Sequence, residues 1–223
     1  MSFIKNIFGK SKEEITLLDI KEFFSTQQEE TSVLEFKSGE VEPEGIYKEI
    51  AAFLNTEGGL LIIGTPKEIK KKIGGNEIKI CEGELTYSKI KNKDILYSKI
   101  ASNIVPFPTN ISIVEFVTEN GNIFLVDVPQ SLDPPHQCTS DGKYYIRMER
   151  DAKPAPHGLI KALFNKRKIA ILDSDVKIVP SNKTNIDKIE IIIRNTSRIP
   201  AEKVSYLIIN NWYFNGTIRF CKK

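Results

Sequence analysis

The stretch that most limits the fold is residues 34–64. It opens with Leu34, Glu35, Phe36 and Lys37, a carboxylate-bearing strand in which Glu35 and Lys37, two residues apart, share one face. Across residues 44–56 the apolar side chains Ile46, Ile50, Phe53 and Leu54 recur at helical spacing, one stripe of an amphipathic helix. Pro43 sits near the helix start, where a missing N–H is tolerated. Gly58 and Gly59 end it, because glycine takes positive φ without strain. Residues 60–63 are then a short apolar run between glycines, the pattern of a buried strand. The unit is strand–helix–strand, and its polar features are Glu35 and the loop from Asn55 to Gly59.

The rest of the chain arranges itself around this unit. Residues 1–9 have no h-region or cleavage site and read, with residues 10–12, as a loose leader. Ser11 and Glu14 fit a capping box, predicting a helix to about Thr26 with Leu17, Ile20 and Phe24 on one face. The lysine-rich segment after Gly64, with Gly74 and Gly75, predicts an exposed turn or hairpin. A helix is predicted from Asn92, with Leu96, Ile100 and Ile104 spaced by four and Pro106 and Pro108 ending it. Asn120-Gly121 between apolar runs predicts a type I′ hairpin. A strand over residues 144–148 and a helix over residues 156–168 follow. Residues 169–223 hold only short strand-like runs, at 176–179, 189–193, 204–209 and 213–220, with Trp212, Tyr213 and Phe214 as core. The fold class is therefore α+β, a mixed sheet flanked by helices, followed by a β-rich, sandwich-like segment too short for a complete immunoglobulin-like domain. The expected divisions are 1–12, 13–168 and 169–223.

Charge is distributed unevenly. The net is only +3, but residues 13–49 carry eleven acids and three lysines, while residues 64–93 carry eight lysines and four glutamates. One acidic and one basic face follow. The three cysteines, Cys81, Cys138 and Cys221, form no CxxC pair, and His136 and His157 sit beside prolines without ligand spacing. That pattern argues against a zinc finger or a disulfide framework, and free thiols suit a reducing cytoplasm. No apolar run reaches the ~18 residues that span a bilayer.

Several segments together resemble the Schlafen-type AlbA-like domain. They are Glu30 with Glu35-Phe36-Lys37, then Ala52-Phe53, Asn55-Thr56, Gly58-Gly59 and Ile63-Gly64. Downstream come residues 104–106, Val126-Asp127-Val128-Pro129, Tyr145-Ile146-Arg147 and the helix over residues 156–168. The resemblance covers roughly residues 13–168 and implies nucleic-acid binding. In nuclease members the matching glutamates hold a divalent metal that cuts RNA, which here would assign Glu30 and Glu35 as ligands of Mg²⁺ or Mn²⁺ and as catalytic groups. Such hard cations take oxygen ligands and generate hydroxide for phosphodiester cleavage. Lys37, on the Glu35 face, would stabilise the pentavalent phosphorus. This chain departs from that pattern where a third carboxylate is expected, because Pro66 stands there and Glu68 follows two residues later. The family is also labelled ATP-binding. The loop Asn55, Thr56, Gly58, Gly59 lacks a GKS or GKT sequence and ends a helix, whose negative pole opposes an anion, so a structural role is favoured.

Lys67, Lys70, Lys71, Lys72, Arg150 and Lys153 are candidates for tracking phosphate, with Tyr145 as a stacking ring. Arg147 offers a planar fork for phosphate or for an internal acid such as Glu35. The expected function is sequence-nonspecific binding of RNA or single-stranded DNA, with weak metal-dependent endoribonuclease activity and a protein-interaction module as alternatives. Eukaryotic Schlafen cores face two such lobes across a groove. With one lobe here, a two-fold homodimer is expected.

Overall fold

A computed structural model describes residues 2–73, 76–166, 170–179, 188–197 and 200–201. The chain divides into two units, Met1–Arg167 and Lys168–Lys223.

The first unit begins with helix α1 (Phe3–Phe8), where a loose leader was expected. Ile4 is fully buried, and Phe3, Ile7 and Phe8 pack against the same core. The Asp127 carboxylate anchors the helix start, accepting from Ser2 Oγ at 2.6 Å and from the Phe3 N–H. Helix α2 (Leu17–Phe23) starts later than Ser11 predicts. Ser11 and Glu14 do close a turn, but Ile15 is buried. The chain therefore turns inward first, and the capping box that starts the helix is Thr16 with Asp19.

Strand β1 (Leu34–Ser38), helix α3 (Pro43–Asn55) and strand β2 (Gly58–Thr65) form the expected strand–helix–strand unit, with β1 and β2 parallel. Strands β3 (Ile69–Ile73) and β4 (Asn76–Ile80) form an antiparallel hairpin. Helix α4 (Lys93–Asn103) is capped by Asn92, whose side chain accepts from the Ile95 N–H. It leads into β5 (Ile104–Val105), which pairs with β8 (Gln137–Cys138). Strands β6 (Ser112–Thr118) and β7 (Gly121–Pro129) make the hairpin expected at Asn120-Gly121. Its turn is not type I′, because Thr118 registers with Gly121 and only the glycine takes positive φ. The principal sheet runs β1-β2-β7-β6.

Each face of this sheet has its own core. Leu60 and Ile62 of β2 join Ile4, Ile20, Phe24 and Phe36 on one side. Leu61 and Ile63 join Ile46, Ile50, Phe53 and Ile100 on the other. The four β2 side chains are wholly buried, each contributing about 1.5–3 kcal/mol. The period of two matters most in β1. Leu34 and Phe36 enter the α2-side core, so Glu35 and Lys37 face α3.

Strand β9 (Tyr145–Met148) lies against α3 and pairs with β10 (Asp151–Pro154). The sequence reading passed over β10, whose residues are poor strand formers. Pairing with β9 and burial of Ala152 hold it extended. Helix α5 (His157–Lys166) follows.

In the second unit, β11 (Leu172–Val179) and β12 (Lys188–Asn195) form an antiparallel hairpin that contains the runs expected at 176–179 and 189–193. The expectations for 204–209 and 213–220, Trp212, Cys221 and the end of the helix at residues 167–168 lie outside the described residues, as do Gly74 and Gly75. Among the described residues no helix is long and apolar enough to cross a membrane.

Candidate functional site

Three elements bring their charged side chains to one place. Strand β1 supplies Glu35 and Lys37, α3 supplies Glu49, and β9 supplies Arg147. Arg147 Nη1 donates to Glu35 Oε2 and to Glu49 Oε2, both at 2.7 Å. Lys37 Nζ donates to Glu35 Oε1 and, at 3.4 Å, to Glu49 Oε1. Two carboxylates and two cations thus close a ring. Glu35, Glu49 and Arg147 are buried, and the Lys37 side chain is 22% exposed. Arg147 Nη2 also donates to the Thr31 carbonyl at 2.7 Å, and its guanidinium lies 4.9 Å from the centre of the Phe53 ring. Glu49 and Phe53 are one turn apart on α3, which lets one arginine engage both.

Glu30 lies beside the ring. One of its oxygens accepts the Phe36 N–H at 3.0 Å. Burial, together with the Glu35 charge, pushes its carboxyl up to about 7. Glu49 is also raised, by burial first and the Glu35 charge second, against Lys37 and Arg147. For Lys37 burial opposes the charge, but Glu35 and Glu49 overcome it and raise the pKa.

Above the ring opens a pocket of about 420 Å³. Glu30, Glu35, Lys37 and Glu49 form its inner lining. Its rim carries Lys48 from α3, Glu68, Lys79 from β4, and Arg150, Asp151 and Lys153 from the β9–β10 hairpin. The rim pairs are exposed: Lys79 with Glu68 at 3.0 Å, Arg150 with Glu29 at 2.7 Å, Lys153 with Asp151 at 3.5 Å. Pairs of this kind contribute about 0–1 kcal/mol and exchange readily for other partners. Lys48 Nζ sits 5.5 Å from the Tyr145 ring centre.

The expected residues divide accordingly. Glu30, Glu35, Lys37, Arg150 and Lys153 come together at the pocket. Arg147 is buried beneath it and serves the internal acids. Tyr145 is buried too, its hydroxyl donating to Asp141; the expected stacking platform is instead a packed ring. Lys67 pairs with Glu40 at 2.8 Å, outside the pocket lining. Lys70, Lys71 and Lys72 are exposed on β3, but strand alternation puts Lys71 on the face opposite Lys70 and Lys72, so the three cannot act as one cluster. Pro66 brings no carboxylate, while Glu68 reaches the rim.

One expectation about the site needs correction. Glu30 and Glu35 do not fit a divalent metal. Every oxygen of Glu35 and Glu49 already accepts from a cation, and Glu30 is half protonated near neutral pH. Among the described residues no three Asp, Glu, His or Cys side chains are placed to hold a metal. The loop at Asn55, Thr56, Gly58 and Gly59 carries the chain from α3 into β2. Gly58 and Gly59 belong to buried β2, in register with Pro129 and Val128. A Cβ on Gly59 would lie 2.3 Å from the Phe53 ring. Asn55 is a staple: its amide donates to the His136 and Tyr145 carbonyls, each at 2.8 Å, and accepts the His136 N–H.

Sequence reasoning missed Glu49, Lys48, Lys79 and His136 as structural or site residues. Glu49 carried a signal, since a charge on the stripe of Ile46, Ile50 and Phe53 requires a buried partner. His136 looked like a loop residue but is buried, its ring bonded to the Pro106 carbonyl and to Ser131 Oγ. Burial pushes the Cys81 and Cys138 thiols up to about 12, far from reactive thiolates.

No curated protein matches the chain significantly. Among solved structures, the chain is similar to the DIP2311 protein from Corynebacterium diphtheriae, at 18% identity and TM-score 0.38 over 56% of this chain. It spans only 22% of that protein's length. It is also similar to the N-terminal domain of a putative ATP-dependent DNA helicase RecG-related protein from Nitrosomonas europaea. That match has 14% identity and TM-score 0.40, covering 62% of this chain and 90% of that one. The Schlafen, AlbA_2 family model matches residues 14–156, more than half of the chain, and the chain belongs to that family.

Proposed function

We propose that the chain binds nucleic acid without reading its sequence, with RNA or single-stranded DNA as the favoured form. One observation carries this reading: Lys48, Lys79, Arg150 and Lys153, from three separate parts of the first unit, gather on one rim above a carboxylate pair that is already neutralised from within. The inner ring contributes no net charge. The rim then sets four cations against Glu68, Asp151, a half-protonated Glu30 and Glu29, which pairs with Arg150. A phosphate can replace each weakly held rim acid, which is how lysine and arginine track a backbone.

Fluorescence anisotropy with labelled single-stranded RNA, single-stranded DNA and duplex DNA tests it. Three or four phosphate contacts predict a log–log salt slope of about −2 to −3 for a single strand. Arg150→Ala with Lys153→Ala should flatten that slope without altering the fold. Equal, salt-independent binding of all three probes, or none at all, refutes the reading. A two-fold homodimer would set two such rims across one cleft and strengthen the field on an anionic ligand; light scattering decides it.

A second reading, an interaction module in the C-terminal unit, has its own observation. Leu172, Val176 and Ile178 fall on one face of β11, with Ile191 and Ile193 opposite on β12. Val176 and Ile178 are 66% and 69% exposed. Val176→Lys with Ile178→Lys would abolish association through that face and leave nucleic-acid binding intact.

A further inference from the structure

We propose that Lys37 and Arg147 are the resident cations of the Glu35–Glu49 pair, that they exclude divalent metal, and that the rim therefore holds a ligand phosphate directly, with no metal bridge.

The geometry leaves no room for a shared metal ion. Arg147 Nη1 stands 2.7 Å from one oxygen of each carboxylate, in the position that a bridging cation would take. Lys37 Nζ occupies the equivalent position on the other two oxygens. Mg²⁺ needs oxygens at about 2.0–2.1 Å in octahedral arrangement, so Arg147 Nη1 would have to leave. It is held back by Nη2 on the Thr31 carbonyl and by the Phe53 ring under the guanidinium. A metal would also add two positive charges beside two fixed ones, in a site whose net charge is already zero. Glu30 offers a metal at most one oxygen clear of the Phe36 N–H, too few for an alternative set on its own. Pro66 supplies no side-chain carboxylate beyond the β2 end.

The test has two arms. The metal arm is independent of any ligand: Mn²⁺ is titrated into the full chain and the free ion is followed by electron paramagnetic resonance. The wild-type chain should show no stoichiometric uptake. Lys37→Met, a partly exposed position, should tighten Mn²⁺ binding by about tenfold or more, because it removes one positive charge close to the carboxylates. Arg147→Met, confirmed folded by circular dichroism, should do the same. Uptake of one Mn²⁺ by the wild-type chain, lost in Glu35→Gln, overturns the proposal. So does the absence of any gain in both folded variants. The ligand arm rests on the nucleic-acid reading above: single-stranded RNA should bind equally well in EDTA and in Mg²⁺, and binding lost in EDTA overturns the proposal. If RNA fails to bind in either buffer while the metal arm holds, the nucleic-acid reading falls and the exclusion of metal stands.

Discussion

Replacing Glu30 with Gln should change how stability depends on pH. The folded carboxyl titrates near 7, whereas an ordinary glutamate titrates near 4.5. Its folded pKa is raised, so the folded state holds a proton that the unfolded chain has already released. Stability is therefore full below about pH 4.5 and falls as pH rises through the window to about 7. At about 1.4 kcal/mol per pKa unit, the window amounts to about 3 kcal/mol as an upper bound. Glu30 is only partly buried, and solvent screening trims the effect to about 1–2 kcal/mol. Glutamine is neutral throughout and keeps an oxygen for the Phe36 N–H. The two proteins should match at pH 4.5, and Glu30→Gln should be more stable by that amount at pH 8. Urea unfolding followed by circular dichroism at pH 4.5, 6, 7 and 8 measures the difference. Parallel pH curves, or a Glu30→Gln protein less stable at pH 8, would refute a buried, proton-holding Glu30.

Two further substitutions probe the supports of the site. Asn55→Ala orphans the His136 and Tyr145 carbonyls and the His136 N–H, and should destabilise the first unit by about 2–4 kcal/mol in urea unfolding. Glu149 opens the β9–β10 turn at φ 57, in the left-handed region, so Glu149→Gly should raise the melting stability by about 0.5–1 kcal/mol; a loss would mean that the Glu149 side chain makes a contribution larger than its backbone strain.

Local patterns were legible where one period governed a segment. The β1–α3–β2 unit follows from a period of two beside a period of 3.6, and both persist because each face has its own core. The β6–β7 hairpin was placed correctly by Asn120-Gly121, although the turn itself relieves strain by giving positive φ to glycine alone. Helix α1 was missed because six residues seldom hold a helix in isolation. Its stability comes from Ile4 in the core and from Asp127, more than a hundred positions away. The ring at the site was illegible for the same reason. Glu35 and Glu49 lie 112 and 98 positions from Arg147, and only the packing of β9 on α3 brings them together. What could be read was each half: Arg147 as a fork for an internal acid, and Glu35 and Lys37 on one face of a strand.

A buried ring of this kind is seldom the most stabilising choice. Apolar residues of equal volume often stabilise as well or better, whereas removing one charged partner destabilises by about 3–5 kcal/mol. What a ring gives that apolar packing does not is direction. Arg147 ties β9 to β1 and to α3, and Lys37 ties β1 to α3, so the three elements can meet in only one register. The pocket floor is thereby fixed, and its charge is cancelled before any ligand arrives. The rim is built the opposite way, from exposed side chains on hairpins held by pairs that water screens, with the half-buried Lys48 on the helix surface. Floor and rim should therefore separate under mutation. Changes at Arg147, Glu35 or Glu49 should act on stability first and on affinity only as the floor is lost. Changes at Lys48, Lys79, Arg150 or Lys153 should act on affinity and salt dependence while the unfolding midpoint stays where it was.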